Sequence, residues 1–137
     1  MKIAVRAAKR HGIPLFASMS FGGGGRTIMG NSPGDVVNAL KDEPLAAIGL
    51  NCSLGPDEAL PLMTQYREAT KLPLLFKPNA GKSGISKGQV KMEYDVEHFV
   101  THSVKALESG VSYIGGCCGT NASYIKALHD RLLELGY

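Results

Sequence analysis

Three cysteines are the residues of this sequence best suited to chemistry. Cys52 lies in the segment GLNCSLG, and Cys117 and Cys118 lie together in GGCCGT. Three thiolates gathered at one place can bind Zn²⁺ tetrahedrally and leave the fourth position open, as in catalytic zinc sites. They could equally be three structural thiols, or Cys117 and Cys118 could form a redox pair, although the sequence has no Cys-x-x-Cys motif. Spacing alone leaves these interpretations open.

Glycines surround the adjacent cysteines. Consecutive residues on a regular strand point to opposite faces, so Cys117 and Cys118 can reach one ion only where the backbone bends. Gly115, Gly116 and Gly119 supply the conformational freedom for such a bend. The segment is therefore compatible with both sulfur atoms facing the same site.

Other polar residues are weaker candidates. Asn79, in KPNAG, is either a turn residue or a neutral ligand or hydrogen-bond partner beside the cysteines. The segment FGGGGRT resembles a phosphate-binding loop in its glycines, but a mobile loop is favoured, with Arg26 binding an anion or bracing the loop. His98 and His102 are four residues apart, so they share one helix face, which we interpret as a surface face.

Short apolar runs and amphipathic segments alternate along the chain. The runs predict four strands buried on both faces, and the segments between them predict helices, with Ser32 and Asp95 as N-caps and Asp57 and Glu58 as first-turn acids. The predicted strands are 14–20, 46–51, 72–76 and 111–115, and the predicted helices are 2–10, 33–41, 56–70, 95–109 and 121–135. The last helix has an apolar stripe made of Ile125, Leu128, Leu132 and Leu135.

This order predicts an α/β fold made of four parallel βα units. Four units are half of an eight-unit barrel, and a small open sheet is the alternative. All three cysteines and the loops at 21–30 and 78–94 follow predicted strands. They therefore lie at the carboxyl ends of the strands, where parallel α/β folds place their sites.

Composition excludes several function classes. The chain has 137 residues, is 44% hydrophobic and 20% charged, and has a net charge of +3. These values predict one folded domain, and the charge is too small to favour nucleic acid. No apolar run approaches a membrane span, and the first residues do not form a secretory signal. Three cysteines, an odd number, favour a reducing compartment, so we expect a cytoplasmic protein.

Four segments together resemble the homocysteine S-methyltransferase family. They are GRT at 25–27 followed by Gly30, GLNCSLGPDE at 49–58, PNAG at 78–81 and GGCCGT at 115–120. The order and spacing of the segments match the family over essentially the whole chain. Within the family, the sequence is most similar to the homocysteine-binding module of cobalamin-dependent methionine synthases.

The resemblance implies a fold and a site. The family has a (β/α)₈ TIM barrel, and this chain resembles only its second half, strands five to eight. Residues 1–137 are then a partial homocysteine-binding barrel domain. By the same likeness Cys52, Cys117 and Cys118 are the zinc ligands, and Asn79 is a fourth ligand or a substrate contact.

The resemblance also implies an activity. A zinc-bound homocysteine thiolate attacks a methyl group and gives methionine, and the donor is methylcobalamin on a separate module or another methyl-onium compound. The family's first half barrel has no counterpart here, so we expect a fragment or split product that needs the missing half or self-association and is inactive in isolation. The alternatives are a non-catalytic metal-binding half-barrel and a thiol redox protein using Cys117 and Cys118. We expect no nucleic acid or membrane partner.

Overall fold

The computed structural model describes residues 1–86 and 89–137. Helices and strands alternate along the chain as the apolar pattern predicts. The elements are α1 (Lys2–Ala8), β1 (Phe16–Met19), α2 (Pro33–Leu40), β2 (Ala47–Asn51), α3 (Pro56–Ala69), β3 (Leu74–Lys77), β4 (Ser83–Ser86), β5 (Gln89–Met92), α4 (Val96–Lys105), β6 (Val111–Ile114) and α5 (Ala122–Glu134).

Four strands form one parallel sheet, in the order β1, β2, β3, β6. The prediction of an α/β fold with four parallel βα units is therefore confirmed. The apolar side chains of the inner strands are buried because helices cover one face of the sheet. The main core includes Ile48, Leu50, Leu74 and Phe76 from the strands, and Leu62, Met63 and Tyr66 from α3.

The outermost strands of this sheet approach each other through their side chains. The ring centroids of Phe16 in β1 and Tyr113 in β6 are 4.5 Å apart, although two strands lie between them. Side chains stand roughly perpendicular to a sheet, so the contact requires the sheet to curl toward this face. Phe16 and Tyr113 are 47% and 41% exposed, so the concave face is open to solvent. Such curling is expected of barrel strands.

The prediction of a long loop over 78–94 is wrong for part of that segment. β4 and β5 form an antiparallel pair in which Ser83 lies opposite Met92. The base of the hairpin is fixed by hydrogen bonds from the backbone N–H of Glu93 to the Lys82 carbonyl and from the Lys82 N–H to the Glu93 carboxylate. Backbone pairing of this kind leaves little trace in a sequence rich in Gly, Lys and Ser. Lys87 and Gly88 lie outside the described residues.

The predicted helix starts are confirmed. Ser32 caps α2 and forms a reciprocal capping box with Asp35, and Asp95 caps α4 through the His98 N–H. α1 continues as a 3₁₀ turn over Lys9–His11. Near it, the almost fully buried Glu43 carboxylate accepts a hydrogen bond of 2.6 Å from the Arg6 guanidinium.

The apolar stripe predicted for the last helix is half right. Leu128 is buried and Leu132 is partly buried, but Ile125 and Leu135 are exposed. α5 packs on α4 through a row spaced four residues apart that begins at Tyr124, and Ile125 lies about 100° around the helix from that row. None of the helices in the described ranges has the length and apolar character that a membrane crossing requires.

Candidate metal centre

The three cysteine sulfur atoms meet at the carboxyl ends of β2 and β6. Cys52 follows β2 directly, and Cys117 and Cys118 lie in the turn after β6. All three Sγ atoms lie within 4.8 Å of one another, and the Sγ atoms of Cys52 and Cys118 are 3.3 Å apart. Within residues 1–86 and 89–137, this is the one group of three or more His, Cys, Asp or Glu side chains close enough to share an ion.

The sulfur spacing fits a tetrahedral metal ion. A Zn–S bond of about 2.3 Å places two sulfur ligands of a tetrahedral site about 3.8 Å apart. The observed distances, from 3.3 Å to at most 4.8 Å, bracket that value. Soft thiolate ligands also favour zinc over magnesium or calcium. The three residues could therefore hold zinc, with a fourth position left for another ligand.

Cys52 lies in an unusual backbone turn. Its φ is +63° and that of Ser53 is +66°, so two consecutive non-glycine residues are left-handed, at a cost of roughly 1–2 kcal/mol each. The turn is held because the Cys52 N–H donates to the Lys77 carbonyl and the Leu54 N–H donates to the Cys52 carbonyl. The sequence contains no signal for this turn, since the expected glycine is absent from both positions.

Main-chain hydrogen bonds join the three segments that carry the cysteines and Asn79. The Asn79 N–H donates to the Leu54 carbonyl at 2.9 Å, and the Asn79 Oδ1 atom accepts from the Cys118 N–H at 3.0 Å. Asn79 thus contacts both cysteine segments, while its role as a metal ligand stays a prediction. Two further bonds run from the Cys117 N–H to the Pro78 carbonyl and from the Ala80 N–H to the Cys118 carbonyl.

The thiols do not hold their protons equally. A hydrogen bond from the Cys118 thiol lowers the pKa of Cys52. The same contact, followed by the negative charges of the neighbouring thiolates, raises the pKa of Cys118 to about 11. Of these two thiols, Cys52 therefore loses its proton more readily than Cys118. The Sγ atoms of Cys52 and Cys118 are in hydrogen-bond contact, and a redox pair of Cys117 and Cys118 stays an untested alternative.

Glycine is required in the turn that carries Cys117 and Cys118. A Cβ at Gly119, whose φ is +81°, would lie 2.1 Å from the Met92 methyl carbon. A Cβ at Gly116 would lie 2.4 Å from the Thr120 hydroxyl oxygen. These close approaches let the chain bend sharply beyond β6.

The glycine-rich segment after β1 contains hydrogen-bonded turns, in which the Gly22 N–H donates to the Arg26 carbonyl and the Gly25 N–H donates to the Gly22 carbonyl, and its mobility stays a prediction. The Arg26 guanidinium donates to the Gly30 carbonyl at 2.8 Å, and the role of Arg26 in bracing the loop stays a prediction. The Thr27 N–H donates to the Asn31 carbonyl within the same turn. Arg26 also lines a cavity of about 780 Å³ whose wall includes Ser53, the neighbour of Cys52. The remaining hydroxyl groups in that wall belong to Ser18, Ser20 and Thr27.

The two histidines share a face of α4, as their spacing predicts. Their rings stack with centroids 4.1 Å apart. The His98 Nε2 atom lies 3.6 Å from the Asp57 carboxylate, and the Tyr94 ring stacks on the other side of His98. The sequence reasoning did not identify Tyr94 as a residue of interest.

Comparisons with known sequences agree on one family. The family profile described as homocysteine S-methyltransferase matches residues 1–132. The chain is 30% identical to homocysteine S-methyltransferase 2 of Arabidopsis thaliana, covering 89% of this chain and 38% of the relative. It is 30% identical to betaine–homocysteine S-methyltransferase 1 of Rattus norvegicus, covering 94% of this chain and 36% of that relative. It is 31% identical to methionine synthase of Mycobacterium tuberculosis, covering 90% of this chain and 10% of that relative.

Solved structures show the same fold. The metallated form of the homocysteine methyltransferase MmuM from Escherichia coli superposes with a TM-score of 0.72 at 22% identity, covering 93% of this chain and 39% of that one. Its oxidised form gives a TM-score of 0.61 at 26% identity, covering 78% of this chain and 32% of that one. These neighbours are TIM barrels. The four-stranded sheet thus corresponds to part of a barrel, and the chain spans well under half the length of these relatives.

Proposed function

Because this chain belongs to the homocysteine S-methyltransferase family, we propose that it supplies the metal-binding part of an enzyme that methylates homocysteine to methionine. The observation that carries the proposal is the convergence of three Sγ atoms within 4.8 Å at the carboxyl ends of the strands. Parallel α/β folds place their catalytic groups at this end. The cavity whose wall includes Ser53, the residue after Cys52, offers room for a substrate.

In this proposal Cys52, Cys117 and Cys118 hold zinc, and Asn79 is a fourth ligand or a substrate contact. Zinc held there would supply the positive charge that stabilises the thiolate form of homocysteine, as it does for any coordinating thiol, and its sulfur would then be a nucleophile. Three cysteine thiolates at the site keep this sulfur electron-rich. The E. coli relative of known structure has a metallated form, which supports the same interpretation here.

The chain's own residues hold the reacting groups in place. The hydrogen bonds between the three segments, including the one to the Asn79 side chain, fix the spacing of the sulfur atoms. The turn containing Arg26 forms one wall of the cavity, and hydroxyl groups line the rest of the polar surface. In the reaction, the homocysteine thiol gives its proton to solvent and its sulfur forms a bond to the methyl carbon, while the bond between that carbon and the donor breaks and its electron pair stays with the donor.

The donor and the remaining barrel are separate parts of the proposal. We propose methylcobalamin on a separate module as the donor, because one relative is a methionine synthase. A methyl-onium donor is the alternative, in line with the betaine-using relative. The chain spans 38% of the Arabidopsis relative, so turnover requires the rest of a barrel. Free thiols need a reducing compartment, for which we propose the cytoplasm.

Metal content tests the site directly. We expect one zinc per chain by elemental mass spectrometry in the purified protein, and far less in Cys118→Ala. His129→Ala is the matched control, because His129 is an exposed ligand-type residue outside the cluster. Full zinc content in Cys118→Ala would contradict the ligand assignment, and an absence of zinc in the unaltered chain would contradict the metal centre itself.

Methionine formation tests the activity. Homocysteine and methylcobalamin are incubated with the chain alone, and with the chain mixed with the first half barrel of the Arabidopsis relative. We expect methionine, measured by mass spectrometry, only in the mixture, and its loss with Cys118→Ala. Betaine and S-methylmethionine replace methylcobalamin in parallel reactions to identify the donor. A zinc-loaded mixture that forms no methionine from any of them would contradict the proposed activity.

A further inference from the structure

The ring of Tyr94 lies directly against the backbone of two segments of the metal centre. A Cβ at Gly55 would lie 2.1 Å from the Cε2 atom of this ring, and a Cβ at Gly81 would lie 2.9 Å from its Cδ2 atom. Gly55 follows Cys52 by three residues, and Gly81 follows Asn79 by two. The absence of side chains at both glycines therefore lets one aromatic ring pack behind both segments.

The main chain of Tyr94 extends these contacts to the third segment. Its N–H donates to the Ala80 carbonyl at 3.2 Å, and the Ala80 N–H in turn donates to the Cys118 carbonyl at 3.0 Å. The Tyr124 hydroxyl donates to the Tyr94 carbonyl at 2.7 Å. Tyr124 belongs to α5, which follows the turn of Cys117 and Cys118. One residue thus links all three segments.

The outer face of the Tyr94 ring is also covered. The His98 ring stacks on it with centroids 4.1 Å apart and planes 14° apart. His98 is held by the stacked His102 ring on its other side and by the Asp57 carboxylate 3.6 Å from its Nε2 atom. Burial, followed by the nearby Asp57 and Glu93 carboxylates, raises the pKa of Tyr94 to about 12, so the phenol stays neutral. The Tyr94 ring therefore meets the Gly55 backbone along its Cε2 edge and the His98 imidazole on one face.

We propose that Tyr94 is a positioning residue for the metal centre, which fixes the spacing of the sulfur atoms by packing on Gly55 and Gly81. The inference rests on the proposed function, since it takes the cysteines to be metal ligands. Cys52 and Ser53 have backbone conformations that relax unless their surroundings hold them. Loss of partners outside the ligand set commonly lowers metal affinity about 10- to 100-fold, and we expect Tyr94 to fall in this range.

A titration of the 137-residue chain with Co²⁺ tests this inference. The visible absorption of Co²⁺ reports its coordination geometry, and the titration also gives its affinity. We expect Tyr94→Leu to bind Co²⁺ about 10- to 100-fold more weakly and with an altered spectrum. Tyr94→Phe keeps the ring and should stay near the unaltered chain. The structural control is Tyr66→Leu, which removes a fully buried ring that packs edge-to-face on Phe21.

A second variant changes Gly55 instead of Tyr94 and tests the same contact if Tyr94→Leu does not fold. Gly55→Ala is allowed by the backbone, whose φ is −71°, but its new methyl group displaces the ring. We expect weaker Co²⁺ binding and an altered spectrum, whereas Gly34→Ala, with no contact closer than 3.8 Å, should bind like the unaltered chain.

The outcomes separate this inference from the proposed function. An unaltered chain that binds neither Co²⁺ nor Zn²⁺ would overturn both. If the unaltered chain binds Co²⁺, and folded Tyr94→Leu and Gly55→Ala bind it with the same affinity and spectrum, only the role of Tyr94 would be overturned. Equal losses in Tyr66→Leu and Tyr94→Leu would also overturn it, because they would indicate a general loss of packing.

Discussion

Gly49 lies in β2 at a place where the neighbouring strand leaves no room for a side chain. It pairs with Leu75 of β3. A Cβ at Gly49 would lie 1.8 Å from the Leu75 carbonyl oxygen, whereas real Cβ atoms essentially never come closer than 3.0 Å to another heavy atom. Because the obstacle is backbone, no rotation of a side chain can remove it. Gly49→Ala must therefore push the two strands apart.

The size of the effect follows from the displacement. β2 and β3 must separate by at least about 1.2 Å, which stretches an ordinary hydrogen bond of about 2.9 Å beyond its range. The pairing spans Ile48–Asn51 and Leu74–Lys77. Each lost bond costs about 1 kcal/mol, and each buried group left without a partner costs about 1–3 kcal/mol. We expect a loss of at least about 4 kcal/mol, a large part of the 5–15 kcal/mol typical of a domain.

Urea unfolding followed by circular dichroism measures this loss. Gly23→Ala is the matched control, because a Cβ there meets no atom within 4 Å. Gly23→Ala should change the free energy of unfolding by less than about 0.5 kcal/mol, as surface substitutions usually do. A folded Gly49→Ala that loses less than about 1 kcal/mol would show that the strands are not so closely paired at this position and would refute the reasoning.

Three further predictions concern the core, the ion pair of Arg6 and Glu43, and the turn at the metal centre. Met63→Ala removes a fully buried side chain and should lower the free energy of unfolding by about 2–5 kcal/mol in urea titrations. The Arg6 guanidinium lowers the pKa of Glu43 below its ordinary 4.5, so the ionised Glu43 stabilises the fold above pH 4.5, and this contribution disappears as the pH falls through the lowered pKa. The thermal unfolding temperature of Glu43→Gln should therefore depend less on pH over this acidic range. An unchanged pH dependence would contradict the ion pair. Ser53→Gly relieves a left-handed φ of +66° and should raise the unfolding free energy by up to about 1 kcal/mol, measured the same way.

The parts of the fold that depend on local sequence were predictable. Ser32 and Asp95 mark helix starts because their side chains accept hydrogen bonds from the first turn. The apolar runs identify the four parallel strands, but the prediction that all four are buried on both faces is wrong for the outer strands β1 and β6, whose residues Phe16 and Tyr113 are exposed on the concave face. The meeting of the cysteines was expected from topology, since each cysteine segment follows a strand of the same parallel sheet.

Features that depend on packing between distant segments were not predictable. The left-handed turn at Cys52 and Ser53 is stabilised by Lys77, which is more than twenty residues away in sequence. The position of Tyr94 depends on two glycines that no periodicity connects to it. The β4–β5 hairpin depends on backbone pairing rather than on an apolar pattern. In each case the information lies in a contact that forms only when the chain is folded.

The joining of the metal-centre segments by main-chain atoms has a consequence for how such a site can evolve. Hydrogen bonds at Leu54, Pro78 and Ala80 use N–H and carbonyl groups that nearly every amino acid possesses. Substitutions at these positions would leave those bonds available wherever the buried surroundings accept the new side chain, whereas the packing of Tyr94 on Gly55 and Gly81 restricts the residue type at both glycines. New donor preferences could then arise by changing side chains around the cavity while the same three cysteines remain in place.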